Sequence, residues 1–197
     1  MSWKEHLIWH SAGNESPHYV DLFKNGRRVL VMGTDDEYLA WFEPNKDPTK
    51  PWISHPISGL KGAGSQRYSH GLGVGDLDGD GKNEVLTPRG YYTQGDDPKQ
   101  PWRFVGVDLG PDCAHMLVHE GGVLSTSAHA RGVWSFAAGE FKRTVIDETI
   151  SQTHAAVLAP LGGNPNLITG KRKWAHPPGV DIGSEKADWW GRHQETG

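Results

Sequence analysis

The chain has 197 residues, which is enough for one domain with a substantial hydrophobic core. Its net charge of −4 gives no reason to expect nucleic acid binding, and no apolar run approaches the roughly 18 residues that a membrane span needs. The single cysteine, Cys113, has no partner for an internal disulfide, so the redox compartment stays open. The 26 glycines, 13 prolines and 9 tryptophans, spread among short apolar runs, predict an all-β protein.

The first predicted unit spans about residues 3–51. Short apolar runs predict four strands in it, at residues 7–9, 19–22, 29–32 and 39–42. We expect the first of these to be the outer strand of a preceding unit. The loop after the second strand has only Asp21 and Asn25 where the acidic loop of the next unit has carboxylates, so we expect it to bind no metal.

The second unit, about residues 52–101, contains the most specific signal in the chain, an acidic loop between two apolar strands. Its acidic residues alternate on a tight turn, so their carboxylates can converge on one hard cation such as Ca²⁺. The expected ligands are Asp76, Asp78, Asp80 and Glu84, with the backbone carbonyl of Lys82. The twelfth position of the loop is not acidic, so the loop is not an EF-hand. The alternative is a solvated acidic turn that binds nothing.

The third and fourth units, about residues 102–140 and 141–185, are predicted to hold no metal. The third runs from its first strand to its second without room for a metal loop, and the corresponding loop of the fourth lacks carboxylates. Strands are predicted within residues 115–124, 133–136, 154–158 and 167–170. The charged and aromatic residues 186–197 are typical of a poor strand or a disordered end.

The first two units repeat short phrases at a spacing of fifty residues. Asp-Pro at 47–48 recurs at 97–98, and Pro-Trp at 51–52 recurs at 101–102. The aromatic pair at 41–42 likewise corresponds to the pair at 91–92. A period near fifty with several short strands in each unit is typical of a propeller blade.

Residues 73–86 resemble the FG-GAP/VCBS repeat family of β-propellers, in which an acidic, glycine-rich loop joins the first two strands of each blade and holds calcium. A wider likeness, to the multi-blade members common in planctomycete-type bacteria, rests on residues 5–10, 14–17, 28–33, 151–155 and 169–172. The resemblance implies one domain over residues 1–197, a shortened family member that forms a small or partial propeller of about four antiparallel blades with Ca²⁺ as cofactor. Members are usually exported, but no apolar signal-peptide segment follows Met1, so the compartment is left open.

In such a propeller the first strand of each blade lines the central channel and begins at one mouth. Aligning the four units places Glu15, His70, His115 and His154 at these beginnings. The ends of the second strands add a further set, namely Arg89, His129, Lys171, Arg172 and His176. Together these groups can bind a polar or anionic ligand, bind a divalent metal, or perform acid–base catalysis. The alternative is that the histidines only hydrogen-bond the neighbouring blade.

Two other residue types receive a structural interpretation. The tryptophans that recur at strand ends, at positions 9, 41, 52, 102, 134 and 174, are expected to pack between blades rather than to stack on sugars. Cys113 lies two residues before His115, which places both side chains on one face of a strand. Nothing orients this pair, so we expect a small buried thiol rather than a nucleophile.

Three functions are consistent with these features. The first is a non-catalytic, calcium-stabilised scaffold that binds a glycan or a protein partner at its axial face. The second is a sugar-processing lyase or dehydratase that works through the candidate catalytic residues His70, His115 and His154 and the cations around them. The third is an assembly module that self-associates through the open blade edges of an incomplete ring. We expect the first, with neither a nucleic acid nor a membrane partner.

Overall fold

The computed structural model describes residues 3–35, 37–110, 113–129, 131–137 and 139–170. Within these residues all regular structure is β-strand, and the strands form four separate antiparallel sheets. The prediction of an all-β protein is therefore confirmed. No helix in the described part of the chain is long and apolar enough to cross a membrane.

Each sheet is a meander in which consecutive strands pair. Sheet 1 contains β1 (His18–Val20), β2 (Val29–Gly33), β3 (Leu39–Glu43) and β4 (Ile53–Pro56). Sheet 2 contains β5 (Gly73–Gly75), β6 (Glu84–Thr87), β7 (Gly90–Thr93) and β8 (Arg103–Gly106). Sheet 3 contains β9 (Cys113–His119), β10 (Gly122–Ser127), β11 (Arg131–Phe136) and β12 (Arg143–Ser151), and sheet 4 contains β13 (Ala155–Leu161) and β14 (Asn164–Gly170).

The short turns of sheets 3 and 4 have the backbone that tight hairpins need. Glu120 and Gly121 connect β9 to β10 with φ values of 50° and 71°, and Gly162 and Gly163 connect β13 to β14 with φ values of 63° and 88°. Two consecutive residues of positive φ match the right-handed twist of the flanking strands. These turns leave no space for an acidic loop, as the sequence indicated.

The repeat of fifty residues has the same local structure in both copies. The side chains of Asp47 and Asp97 each accept a hydrogen bond from the backbone N–H two residues later, at 2.9 and 3.0 Å. The N–H of Trp52 donates to Ile8, and the N–H of Trp102 donates to a backbone carbonyl in the same way, at 2.9 and 2.8 Å. The predicted unit limits at 52, 102 and 141 fall just before β4, β8 and β12, the fourth strands of sheets 1, 2 and 3.

The strand predicted at residues 7–9 is wrong, because no strand forms within residues 3–17. Ile8 accepts the backbone hydrogen bond from Trp52, and the ring of Trp9 packs on Phe42 with a centroid distance of 5.2 Å. Trp9 is thus partly buried by packing against sheet 1, whereas the side chains of Leu7 and Ile8 remain exposed and the segment pairs in no ladder.

The first strands of successive sheets lie side by side, β1 beside β5, β5 beside β9 and β9 beside β13. Leu72 and His115 form a parallel bridge between sheets 2 and 3. A Cβ atom on Gly73 would lie 2.7 Å from the carbonyl oxygen of Met116, and one on Gly75 would lie 2.5 Å from Cβ of Val118. The two glycines therefore permit the close approach of β5 to β9.

The core lies between adjacent sheets rather than at one centre. One apolar cluster joins sheets 1 and 2 and includes Val31, Trp41 and Val85, and a second joins sheets 2 and 3 and includes Leu86 and Met116. Each cluster buries the facing sides of two sheets, which is the dominant favourable contribution to folding.

Trp41, Trp102 and Cys113 are buried packing residues, as predicted. The indole N–H groups of Trp41 and Trp102 both donate to the carbonyl of Pro98, at 3.1 and 3.0 Å. Cys113 is fully buried and its thiol donates to the carbonyl of Leu109. Trp174 and the side chain of Trp134 lie outside the described part of the chain.

Candidate functional site

The acidic loop between β5 and β6 folds around its own carboxylates. Side-chain oxygens of Asp76, Asp78 and Asp80 accept backbone N–H bonds from residues two or three positions later, at 2.9, 3.1 and 2.7 Å. Carboxylate oxygens of Asp76, Asp78 and Glu84 lie within 4.8 Å of one another. The side chain of Asp80 is not part of this converging group, and its carboxylate instead holds the N–H of Lys82.

Glu84 is the buried member of the group, with a relative exposure of 1%. Its Oε2 accepts a hydrogen bond of 2.8 Å from the N–H of Leu77. Burial, with a further contribution from the negative charges of Asp78, Asp80 and Asp76, raises the pKa of Glu84 to about 7 against the effect of that hydrogen bond. The loop therefore concentrates negative charge around a carboxylate that is shielded from water.

This donor set fits a hard cation such as Ca²⁺. The converging ligands are all carboxylate oxygens, which calcium prefers, and a divalent cation would offset the mutual repulsion that burial makes costly. Asp76, Asp78 and Glu84 would hold the ion. Bound calcium would supply positive charge and fix the turn.

Sequence reasoning missed a lysine at this loop. Lys24, in the loop between β1 and β2, places its Nζ atom 2.6 Å from Oδ2 of Asp76. That loop closes on itself, because the two carboxylate oxygens of Asp21 accept the N–H groups of Asn25 and Gly26. The hydrogen bond from Lys24 is the main reason that the pKa of Asp76 lies below its usual value. The two loops occupy equivalent positions in neighbouring sheets, and that equivalence was the signal that could have predicted their contact.

A second cluster receives one side chain from each of the four sheets. Glu15 precedes β1, His70 precedes β5, His129 follows β10 and His154 precedes β13. Oε2 of Glu15 lies 3.1 Å from Nε2 of His70. The ring centroids of the three histidines are 4.7, 5.1 and 5.6 Å apart. The structure thus brings together four of the residues that the sequence placed at one mouth, and we call them the axial cluster.

Backbone contacts next to the axial cluster hold its segments in place. The N–H of Glu15 donates to the carbonyl of Ser69, and the N–H of Thr153 donates to the carbonyl of Ser127, at 2.9 and 2.8 Å. Each bond joins two different sheets one or two residues from a cluster side chain. The positions of the imidazoles are therefore set by the packing of the sheets.

His70 and His154 are preceded by the same unusual backbone conformation. Tyr68 and Gln152, each two residues earlier, have φ values of 60° and 56°. Residues other than glycine adopt this left-handed region at a cost of order 1–3 kcal/mol, and such strain is concentrated at functional sites. Gln152 is also fully buried, and its side-chain amide has no hydrogen-bond partner among the described residues.

His115, predicted at the same mouth, pairs instead with His18, which sequence reasoning did not select. Their ring centroids are 5.2 Å apart, and Nε2 of His18 is 2.9 Å from the carbonyl oxygen of Leu72. Burial, with a smaller contribution from the neighbouring His18, lowers the pKa of His115 to about 4. Burial also lowers the pKa of His18. Both rings are therefore neutral near pH 7, which suits a packed pair between sheets.

The predicted cations lie partly beside the axial cluster. Arg89, in the turn between β6 and β7, lines a groove of about 360 Å³ together with His70 and Ser69. Lys171, Arg172 and His176 lie outside the described residues.

No family model matches the chain, and no curated protein matches it. The likeness to FG-GAP/VCBS propellers therefore depends on the residues quoted above, and the geometry of the acidic loop and the axial cluster has to support any functional assignment.

Proposed function

We propose that the chain is a small or partial β-propeller of about four blades, a non-catalytic scaffold that is stabilised by Ca²⁺ and binds a glycan at its axial face. One observation carries this proposal: Glu15, His70, His129 and His154 come from four different sheets and meet at one point. Sheets 2 and 4 are not consecutive in the chain, yet His70 and His154 are in ring contact. Such contact is expected where blades surround a common axis.

Calcium at the acidic loop has a structural role in this proposal. The loop lies between β5 and β6, and β5 packs directly beside β1 and β9. When free calcium is 100 times its dissociation constant, binding adds about 2.7 kcal/mol to the free energy of unfolding. This is a large share of the 5–15 kcal/mol that is typical of a domain.

The dimensions of the axial face favour a small polar ligand. The groove beside His70 and Arg89 has a volume of about 360 Å³, at the lower end of the range for small-molecule sites, about 300–1,000 Å³. Imidazoles, a carboxylate and a guanidinium offer the donors and acceptors that sugar hydroxyl and carboxylate groups require. A protein partner needs a broader surface, about 800 Å² on each side.

Oligosaccharide binding to the calcium-loaded protein tests the proposal. Neutral and uronic-acid oligosaccharides would be screened by ligand-observed NMR against the protein and against Arg89→Met. Arg103→Met, which removes an exposed arginine from the same sheet, is the matched control. We expect binding that the first variant loses and the control keeps. Absence of binding to every sugar, combined with capture of a protein ligand, would replace the glycan by a protein partner.

A second candidate function is acid–base catalysis on a sugar, by a lyase or dehydratase. The contact of 3.1 Å between Glu15 and His70 favours it, because a carboxylate that orients an imidazole is a common arrangement for a general base. His70→Ala should then abolish turnover while the melting temperature stays nearly unchanged. Binding of a sugar without turnover would support the scaffold instead.

A further inference from the structure

We propose that His70, His129 and His154 form a binding site for a divalent transition-metal ion such as Zn²⁺, with Glu15 as the adjacent negative charge. This site is separate from the calcium loop. The inference deepens the proposed function and rests on it in one respect, that the ion lies at the ligand-binding face.

The three imidazoles are close enough to share one ion after a small adjustment. Each ring offers one nitrogen, and these nitrogens lie within 4.8 Å of one another. Zn–N bonds of 2.0–2.1 Å in a tetrahedral site place two nitrogens about 3.3 Å apart. The rings would therefore close by at most about 1.5 Å, a movement that rotation about the side-chain bonds provides.

The ring orientations are compatible with a shared ion. The interplanar angles are 86° for His70 and His129, 73° for His70 and His154, and 89° for His129 and His154. The lone pair of an imidazole nitrogen lies in the plane of its ring. Rings that meet edge-on can direct their lone pairs at one point, which parallel stacked rings cannot do.

The ligand chemistry selects a transition metal over calcium. Imidazole nitrogen suits Zn²⁺, Cu²⁺, Ni²⁺ and Fe²⁺, whereas Ca²⁺ takes oxygen ligands. Three histidines leave a fourth position of a tetrahedral ion for water or a ligand oxygen, which is the pattern of open sites. Glu15 contributes a carboxylate next to His70, which offsets part of the charge of the ion. Arg89, in the same groove, opposes a bare cation but favours an ion that carries a bound anion.

The strained backbone supports a specific role for two of the ligands. Tyr68 and Gln152 have positive φ at equivalent positions, two residues before His70 and His154. Packing of a histidine against a neighbouring sheet does not by itself need this conformation, since His115 enters β9 without it. The repeated strain fixes the points at which two imidazoles enter the axial cluster.

The pair of His18 and His115 provides a contrast within the same molecule. It contains two rings rather than three, and the ring of His18 is held by the carbonyl of Leu72. Its imidazoles are explained by packing and one hydrogen bond. Replacement of His115 is therefore the matched control for replacement of a histidine in the axial cluster.

Calorimetric titration of Zn²⁺ into the chelator-stripped full chain, with calcium present to fill the acidic loop, tests the site. We expect one zinc ion per chain, and at least about tenfold weaker binding in His129→Gln and in His154→Gln, because even loss of a residue that only orients a ligand costs about 10–100-fold. His115→Gln should bind zinc like the unaltered protein. Glu15→Gln should weaken zinc binding without abolishing it.

A second measurement does not depend on the folding of variants. Co²⁺ added to the unaltered protein should produce a visible absorption spectrum of a four-coordinate site and should broaden the NMR signals of three histidine rings. Failure of Zn²⁺ to bind, zinc binding in both cluster variants as tight as in the unaltered protein, or broadening of other histidines would overturn the metal site. Because no sugar is used, such a failure leaves the oligosaccharide test of the proposed function unaffected.

Discussion

Replacing Glu84 by Gln should stabilise the calcium-free protein and destabilise the calcium-loaded one. Glu84 is 1% exposed among three aspartates, and its pKa is raised to about 7. A carboxyl whose pKa is higher in the folded than in the unfolded state makes folding less favourable as the pH rises between the two values. Gln has the same shape, carries no charge, and can still accept the N–H of Leu77 through its side-chain oxygen.

The expected magnitude follows from that pKa. A rise from 4.5 to about 7 corresponds to about 3 kcal/mol above pH 7. Asp78 and Asp80 are exposed and the solvent near them screens the repulsion, so we expect about 1–3 kcal/mol. For a chain of this size each kcal/mol moves the melting temperature by about 2–4 °C, which predicts a rise of about 2–12 °C.

The assay is thermal unfolding of the protein and of Glu84→Gln between pH 4 and pH 8, in chelator and in excess calcium. In chelator the variant should melt higher at pH 8, and the difference should shrink toward zero as the pH falls to 4.5. In calcium the order should reverse, because the variant has lost a ligand. Glu37→Gln, an exposed change of the same kind, should have no effect at either pH. A variant that melts at or below the unaltered protein at pH 8 in chelator would refute this reasoning.

Three further predictions concern the contacts between sheets. Lys24→Met should tighten calcium binding measured by calorimetry, because the ammonium group of Lys24 pairs with the Asp76 carboxylate that would bind the ion. Weaker calcium binding in this variant would show that Lys24 instead supports the loop. Asn83→Ala should lower the free energy of unfolding by about 1–3 kcal/mol in denaturant titrations, since its buried amide donates to two carbonyls of the loop between β1 and β2; an unchanged midpoint would contradict that role. Gly75→Ala should cost about 1–3 kcal/mol by crowding Val118, whereas Gly95→Ala, where a Cβ meets open space, should be nearly neutral. Equal effects of the two alanines would exclude the close approach of β5 and β9.

Local patterns predicted the strands and the acidic loop because their causes are local. The apolar runs that became β2 and β3 are buried on both faces, so their composition alone identified them. The alternation of Asp76, Asp78 and Asp80 similarly reflects a turn whose hydrogen bonds span two or three residues. The repeat of fifty residues was visible because Asp47 and Asp97 make the same turn.

Contacts that depend on the relative placement of sheets could not be predicted in the same way. Aligning the units did place Glu15, His70 and His154 together, since the alignment used the equivalence of the units. The alignment could not show that the ring of His115 would contact the ring of His18, because this contact depends on how closely β1, β5 and β9 pack. The same limit applies to residues 7–9, an apolar run that forms no strand: only Trp9 packs on sheet 1, and Leu7 and Ile8 are exposed.

The central claim, that one calcium ion stabilises the scaffold through the loop between β5 and β6, is tested most directly by calorimetric titration of Ca²⁺ into the chelator-stripped protein. Asp78→Asn removes a converging ligand, and Asp97→Asn removes an exposed carboxylate that holds a turn of the same local kind. The account predicts one site with a dissociation constant below about 1 mM, lost in the first variant and kept in the second. Absence of calcium binding, or binding that survives Asp78→Asn, would contradict it.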